Sequence, residues 1–121
     1  MPKDDFLTIE KWLESYTKGR FMPPNKWFYL EKIHVYLRVH SIRGLTIDIG
    51  NVEVPDENNK GNGHFAHLVS WLEATGKKLG YQNLRIMNIL EPRLVGFCEK
   101  RGFQPIGNSQ CPDDISYTKE L

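Results

Sequence analysis

Two glycines, Gly61 and Gly63, stand between a polar loop and an amphipathic run, in the stretch Asn58-Asn59-Lys60-Gly61-Asn62-Gly63. Glycine lets a ligand come close to the backbone. The first N–H groups of a helix lack internal acceptors and lie at the positive end of its dipole. A β-rich run ends just upstream, at Val54-Pro55. Strand, glycine loop and helix start in that order describe a phosphate site, to which Lys60 could add charge. His64 and His67 follow at i, i+3 and could bind a metal, but no third ligand stands near them in sequence. Solvent-facing or loop-supporting histidines, and no metal, are therefore expected.

Known phosphate-loop patterns narrow the reading. The nucleotide-hydrolysing pattern G-x-x-x-x-G-K-[ST] is absent. The dinucleotide pattern G-x-G-x-x-G/A is matched by Gly61-Asn62-Gly63-His64-Phe65-Ala66, yet six residues, 55–60, separate the first glycine from its strand. That fingerprint needs the glycine almost directly after a strand of a doubly wound sheet. Here the strand reads as hairpin-paired, and too little chain follows for the remaining units.

The elements that must position this loop can be read from periodicity. Ile9, Trp12, Leu13 and Tyr16 make one helical stripe, with Asp4 or Asp5 as cap and Gly19 as stop. Met22-Pro23-Pro24-Asn25 reads as a loop, and Trp27 to Leu30 as a strand beginning. Ile33, Val35, Leu37 and Val39 alternate with His34, Tyr36, Arg38 and His40. A turn at 41–44 leads to a strand running to Val54, with Gly50 and Asn51 marking a bulge or splay. After the loop, Phe65, Leu68, Val69 and Leu72 share a helix face that Gly80 ends. A central strand at 83–90 follows, then a helix opened by Pro92 that carries Leu94, Val95 and Cys98. Strands at 103–106 and 115–119 close the chain, with a polar loop at 107–114 between them. The fold class is a mixed α/β sheet covered by helices, in a single domain over 1–121.

Composition excludes several function classes. The chain has 121 residues, 40% apolar and 26% charged, which suits a soluble globular domain. A net charge of +1 gives no overall field for nucleic acid or an anionic membrane, so neither is an expected partner. No apolar run is long enough to span a bilayer, and Met1-Pro2-Lys3-Asp4-Asp5 lacks a signal-peptide core. Two cysteines, Cys98 and Cys111, do not make a disulfide framework. A reduced, cytoplasmic protein is the expectation.

With these residues in place, the loop at 58–63 resembles the acyl-CoA loop of the GNAT superfamily of N-acyltransferases, Q/R-x-x-G-x-G/A after a strand and a proline. Pro55, Lys60, Gly61 and Gly63 fit; Asn58 stands where the family usually has Gln or Arg. A second block, Phe97-Cys98-Glu99-Lys100-Arg101-Gly102-Phe103, resembles the family's L-Y-E-K-x-G-F segment. Ile115-Ser116-Tyr117-Thr118-Lys119 suits its last strand. The resemblance covers roughly Leu45 to the C-terminus.

The resemblance implies acetyl transfer from acetyl-CoA to an amine. Coenzyme A would be held by Asn58, Asn59, Lys60, Gly61, Asn62, Gly63 and His64. Its pantetheine arm would pair with backbone groups of Val52 to Val54, between two splayed strands. An amine would attack the acyl carbon directly, with a backbone N–H stabilising the oxyanion. Cys98 replaces the family's usual tyrosine acid, and is either a proton donor or a small buried residue. Glu53 is the nearest carboxylate that could act as base; Asp48 is the other, unless it pairs with an arginine. The family usually begins with a strand and two helices that close the amine side. Here a single helix is expected, which suits a large acceptor such as a protein amine, or a partner subunit in a homodimer. The alternative is a catalytically weak or inactive coenzyme A-binding or interaction module on the same fold.

Overall fold

A computed structural model describes residues 3–19, 24–41, 44–53, 63–87, 92–108 and 111–121. Helix α1 (Lys3–Thr17) is followed by strands β1 (Asn25–Tyr29), β2 (His34–His40) and β3 (Thr46–Glu53). Helix α2 (His64–Leu79), strand β4 (Asn83–Ile86), helix α3 (Pro92–Lys100) and strands β5 (Gln104–Asn108) and β6 (Cys111–Glu120) complete the order. The six strands form one sheet in the order β1-β2-β3-β4-β6-β5. Among the described residues only β3 and β4 pair in parallel, and α2 makes the crossover that a parallel pair requires.

Alternation decides which face of the sheet is buried. Val35, Leu37 and Val39 of β2, Ile47 and Ile49 of β3 and Leu84 and Ile86 of β4 are each 2% exposed or less. They share a face with Phe28, Tyr117 and Lys119 through the strand registers. All three described helices pack on that face. In α1, Ile9 and Leu13 are fully buried, and Trp12 meets Phe28 edge-on. In α2, Leu68, Val69 and Leu72 are fully buried, and Glu73 pairs with Lys119. In α3, Cys98 is buried and Glu99 reaches Tyr117. Each buried aliphatic side chain contributes about 1.5–3 kcal/mol, which is what holds these short elements together. The opposite face carries Trp27, Tyr29, His34, Tyr36, Arg38 and Arg85, and no described helix crosses it.

Several boundaries differ from the sequence reading. Helix α1 starts at Lys3, so Asp4 and Asp5 lie in its first turn rather than ahead of it. The aromatic run forms a strand of its own, β1, turned back on β2 by a bond from the Leu30 N–H to the Ile33 carbonyl (3.0 Å). The polar loop expected at 107–114 is mostly strand: β5 runs to Asn108 and β6 starts at Cys111. Pairing of Gly107 with Ile115 and of Asn108 with Cys111 draws both ends of this segment into the sheet, despite the weak β-preference of Pro112, Asp113 and Asp114 between them. The described part of β4 is Asn83–Ile86, and the expected continuation at 88–90 lies outside the described residues.

Candidate acyl-transfer site

The expected bulge is present in β3. Leu37 pairs with Ile49 and Tyr36 with Asn51, so Gly50 is the extra residue. A Cβ on Gly50 would come within 2.8 Å of Tyr36 Cδ2, because the Tyr36 ring lies across it. Only glycine allows that approach. The described part of the parallel ladder between β3 and β4 reaches the same level. Its last pair is Ile49 with Ile86, followed by a bond from the Met87 N–H to the Ile49 carbonyl (3.0 Å). Beyond it β3 runs on to Glu53 with β2 as its described partner. The Val52 N–H donates to the Asn51 side-chain oxygen at 2.8 Å. A short polar side chain thus occupies a donor that an extended amide ligand could take.

At the far end of the loop, Gly63 caps α2 with φ 78° and ψ 12°. Among the described residues no side chain caps this helix, and no acidic residue stands in its first turn. The His67 N–H closes the first helical bond, on the Gly63 carbonyl at 2.9 Å. The earlier N–H groups point out of the helix. A Cβ on Gly63 would meet nothing within 4 Å, so the cap is open to an approaching group. These features fit a phosphate. Val54 and the loop residues Asn58, Asn59, Lys60, Gly61 and Asn62 lie outside the described residues.

The three side chains weighed for proton transfer fare differently. Cys98 is fully buried. Burial, followed by the neighbouring Glu99 carboxylate, pushes its thiol up to about 11. A thiol that holds its proton so firmly is a poor donor to a thiolate of ordinary pKa near 8.5. Asp48 is also fully buried, and both arginines beside it bind it. Arg85 reaches it through Nε (3.0 Å) and Nη2 (2.7 Å), and Arg38 through Nε (3.2 Å) and Nη2 (3.0 Å). The His40 Nε2 stands 3.1 Å from the same carboxylate. A carboxylate so engaged is a structural anion. Glu53 is exposed at the end of β3, with His34 Nδ1 3.9 Å away. It shares the helix-free face with Tyr36 and lies beyond Val52 from the bulge.

Tyr117 carries a signal that its place in a strand did not reveal. On β6 it pairs with Ile86, the last β4 residue of the parallel ladder, and its hydroxyl lies 3.5 Å from Glu99. Burial first, then Glu99 and Cys98, raise its phenol above the ordinary range. Among the described residues, no group of His, Cys, Asp and Glu has the geometry of a metal site. His67 instead meets Phe6 edge-on at 5.4 Å.

No protein-family model matches the sequence, and no curated protein does. Solved structures do match. An acetyltransferase from Thermus thermophilus superposes with a TM-score of 0.64 at 14% identity, over 100% of this chain and 94% of the other. Arabidopsis thaliana Naa50, solved with the bisubstrate analogue CoA-Ac-MVNAL, gives 0.61 at 12%, over 100% and 95%. A GNAT-family acetyltransferase from Listeria monocytogenes gives 0.53 at 13%, over 74% of this chain and 64% of its own length. The chain has the GNAT acetyltransferase fold.

Proposed function

We propose that this GNAT-fold chain is an acyl-CoA-dependent N-acyltransferase that moves an acetyl group from acetyl-CoA to an amine. The observation that carries the reading is where the described parallel ladder ends. β3 is paired with β4 as far as Ile49, bulges at Gly50 and continues as a strand to Glu53, and Gly63 opens α2 without a side-chain cap. A long ligand with amides at one end and phosphates at the other fits those two stations. Coenzyme A has that layout.

In this reading the N–H groups of His64 and the residues behind it, with Lys60 and Asn58, Asn59, Gly61, Asn62 and Gly63, hold the pyrophosphate. Backbone groups of Val52 and Val54 pair with the pantetheine amides once Asn51 releases the Val52 N–H. The neutral amine attacks the acetyl carbonyl carbon; an N–C bond forms and the C–S bond breaks. A proton leaves the nitrogen, and the coenzyme A sulfur gains one. Water carries that proton more readily than Cys98, whose thiol is buried and weakly acidic.

Calorimetry with acetyl-CoA tests the cofactor half of the reading, and release of free thiol on adding an amine panel tests the chemistry. No binding at sub-millimolar acetyl-CoA sinks the reading. Binding without thiol release favours the second reading, a coenzyme A-binding module without turnover. That reading is supported by the buried thiol where the family carries a tyrosine.

A further inference from the structure

The helix-free face carries an aromatic patch that the transfer chemistry leaves unused. Trp27 and Tyr29 of β1 stand beside Tyr36 and His34 of β2, which stand opposite Asn51 and Glu53 of β3. The rings touch one another. Trp27 and Tyr29 are stacked at 6.1 Å, Trp27 and Tyr36 lie 5.5 Å apart, and Tyr29 meets His34 edge-on at 4.9 Å. Tyr29 is 71% exposed, an unusual amount for a ring on a sheet face. Glu53 keeps 61% of its side chain in solvent at one corner. The nearest guanidinium on this face, that of Arg38, is turned away from the rings onto Asp48, a carboxylate it shares with Arg85. Because the Tyr36 ring lies across Gly50, the patch begins at the β3 bulge, next to the last described β3–β4 pair, Ile49 with Ile86.

Electron-rich ring faces and an exposed carboxylate attract the same kind of group. An organic ammonium gains from both the ring quadrupoles and the carboxylate charge. An anion would meet Glu53, and a purely apolar segment would gain nothing from it. We propose that this patch binds the cationic end of the acceptor, with the ammonium over Trp27, Tyr29 and Tyr36 and Glu53 as its counter-ion. The inference rests on the transfer reading above and names its substrate class: an aliphatic di- or polyamine, held by one protonated nitrogen while another, neutral, reacts. Glu53 lies four residues beyond Ile49, about 13 Å along the strand, which an extended polyamine spans.

The test separates recognition from chemistry. Choline carries a cation whose nitrogen cannot be acylated, and dimethylbutanol is its uncharged isostere. In a nitrogen-labelled sample of the whole chain without acetyl-CoA, choline should shift the Trp27 indole resonance and leave those of Trp12 and Trp71 in place, and the isostere should not. Glu53→Gln should weaken choline about fivefold, and Tyr29→Ala, at an exposed ring that the fold does not need, by a similar factor. Thiol release should then favour spermidine over butylamine by about tenfold in kcat/KM, the preference falling in both variants. Equal shifts by choline and its isostere, or no shift at Trp27, overturn the proposal even if acetyl-CoA binds. Loss of acetyl-CoA binding with the choline response intact overturns the transfer reading instead.

Discussion

Asp48 and Arg85 face each other across the parallel pair β3–β4, joined by two bonds of 3.0 and 2.7 Å. Arg38 approaches the same carboxylate from the antiparallel side. Asp48 is fully buried, so its charge depends on these partners in place of water. Asp48→Asn removes the charge and leaves two guanidiniums crowded on one face of the sheet. The expected loss is about 3–5 kcal/mol, the scale of breaking a buried charge pair. Urea unfolding measures it. An unchanged midpoint would mean that the cluster contributes nothing to stability.

Cys98 should make stability fall at alkaline pH. Its folded-state pKa is raised to about 11, above that of a free thiol. The folded state therefore holds the proton more tightly than the unfolded state. The contribution is fully present below the unfolded value and is lost as pH rises through the folded one, over about pH 9–11. In a Cys111→Ser background, urea midpoints should drop across that window, and Cys98→Ala should flatten the drop. The native thiol should also resist alkylation at neutral pH until the chain unfolds.

Gly50 and Tyr36 should be energetically coupled. Gly50→Ala would place a methyl 2.8 Å from Tyr36 Cδ2, so the ring must move. An overpacking cost of about 1–3 kcal/mol is expected. In a Tyr36→Ala background the same change should cost at least about 1 kcal/mol less, because the obstructing ring is gone. A double-mutant cycle by urea denaturation measures the difference. Additive costs would mean that the strain at the bulge comes from the backbone alone.

Features that depend on neighbours in sequence were legible there. The alternation in β2, the stripe of α1 and the stop at Gly80 all appear as expected. Gly50-Asn51 marked the bulge correctly, since a glycine inside a strand has few other uses. What depends on tertiary pairing was not legible. For Asp48 the sequence leaves open a base or the partner of an arginine; the sheet decides for the partner and brings Arg38, His40 and Arg85 to it from two other strands. The choice for Cys98 between proton donor and buried residue turned on what α3 packs against, which the local pattern does not contain. The aromatic patch joins β1 residues that the sequence left at the edge of a strand beginning. The glycine loop itself, 58–62, lies outside the described residues, so its reading rests on the two ends that flank it.

Gly63 allows a charge to be tested apart from a shape. Its φ of 78° lies in the left-handed region, where most side chains are strained by about 1–2 kcal/mol. Asn and Asp tolerate that region better than other residues, and a Cβ there meets nothing within 4 Å. Gly63→Asn and Gly63→Asp should therefore fold with similar, modest losses of stability. They differ by one negative charge at the start of α2. If a pyrophosphate sits on the N–H groups there, the aspartate opposes it directly. The Asp variant should then bind acetyl-CoA at least about tenfold more weakly than the Asn variant, a gap that added salt narrows. Calorimetry on both variants gives the ratio. Equal affinities would move the phosphate site away from the start of α2.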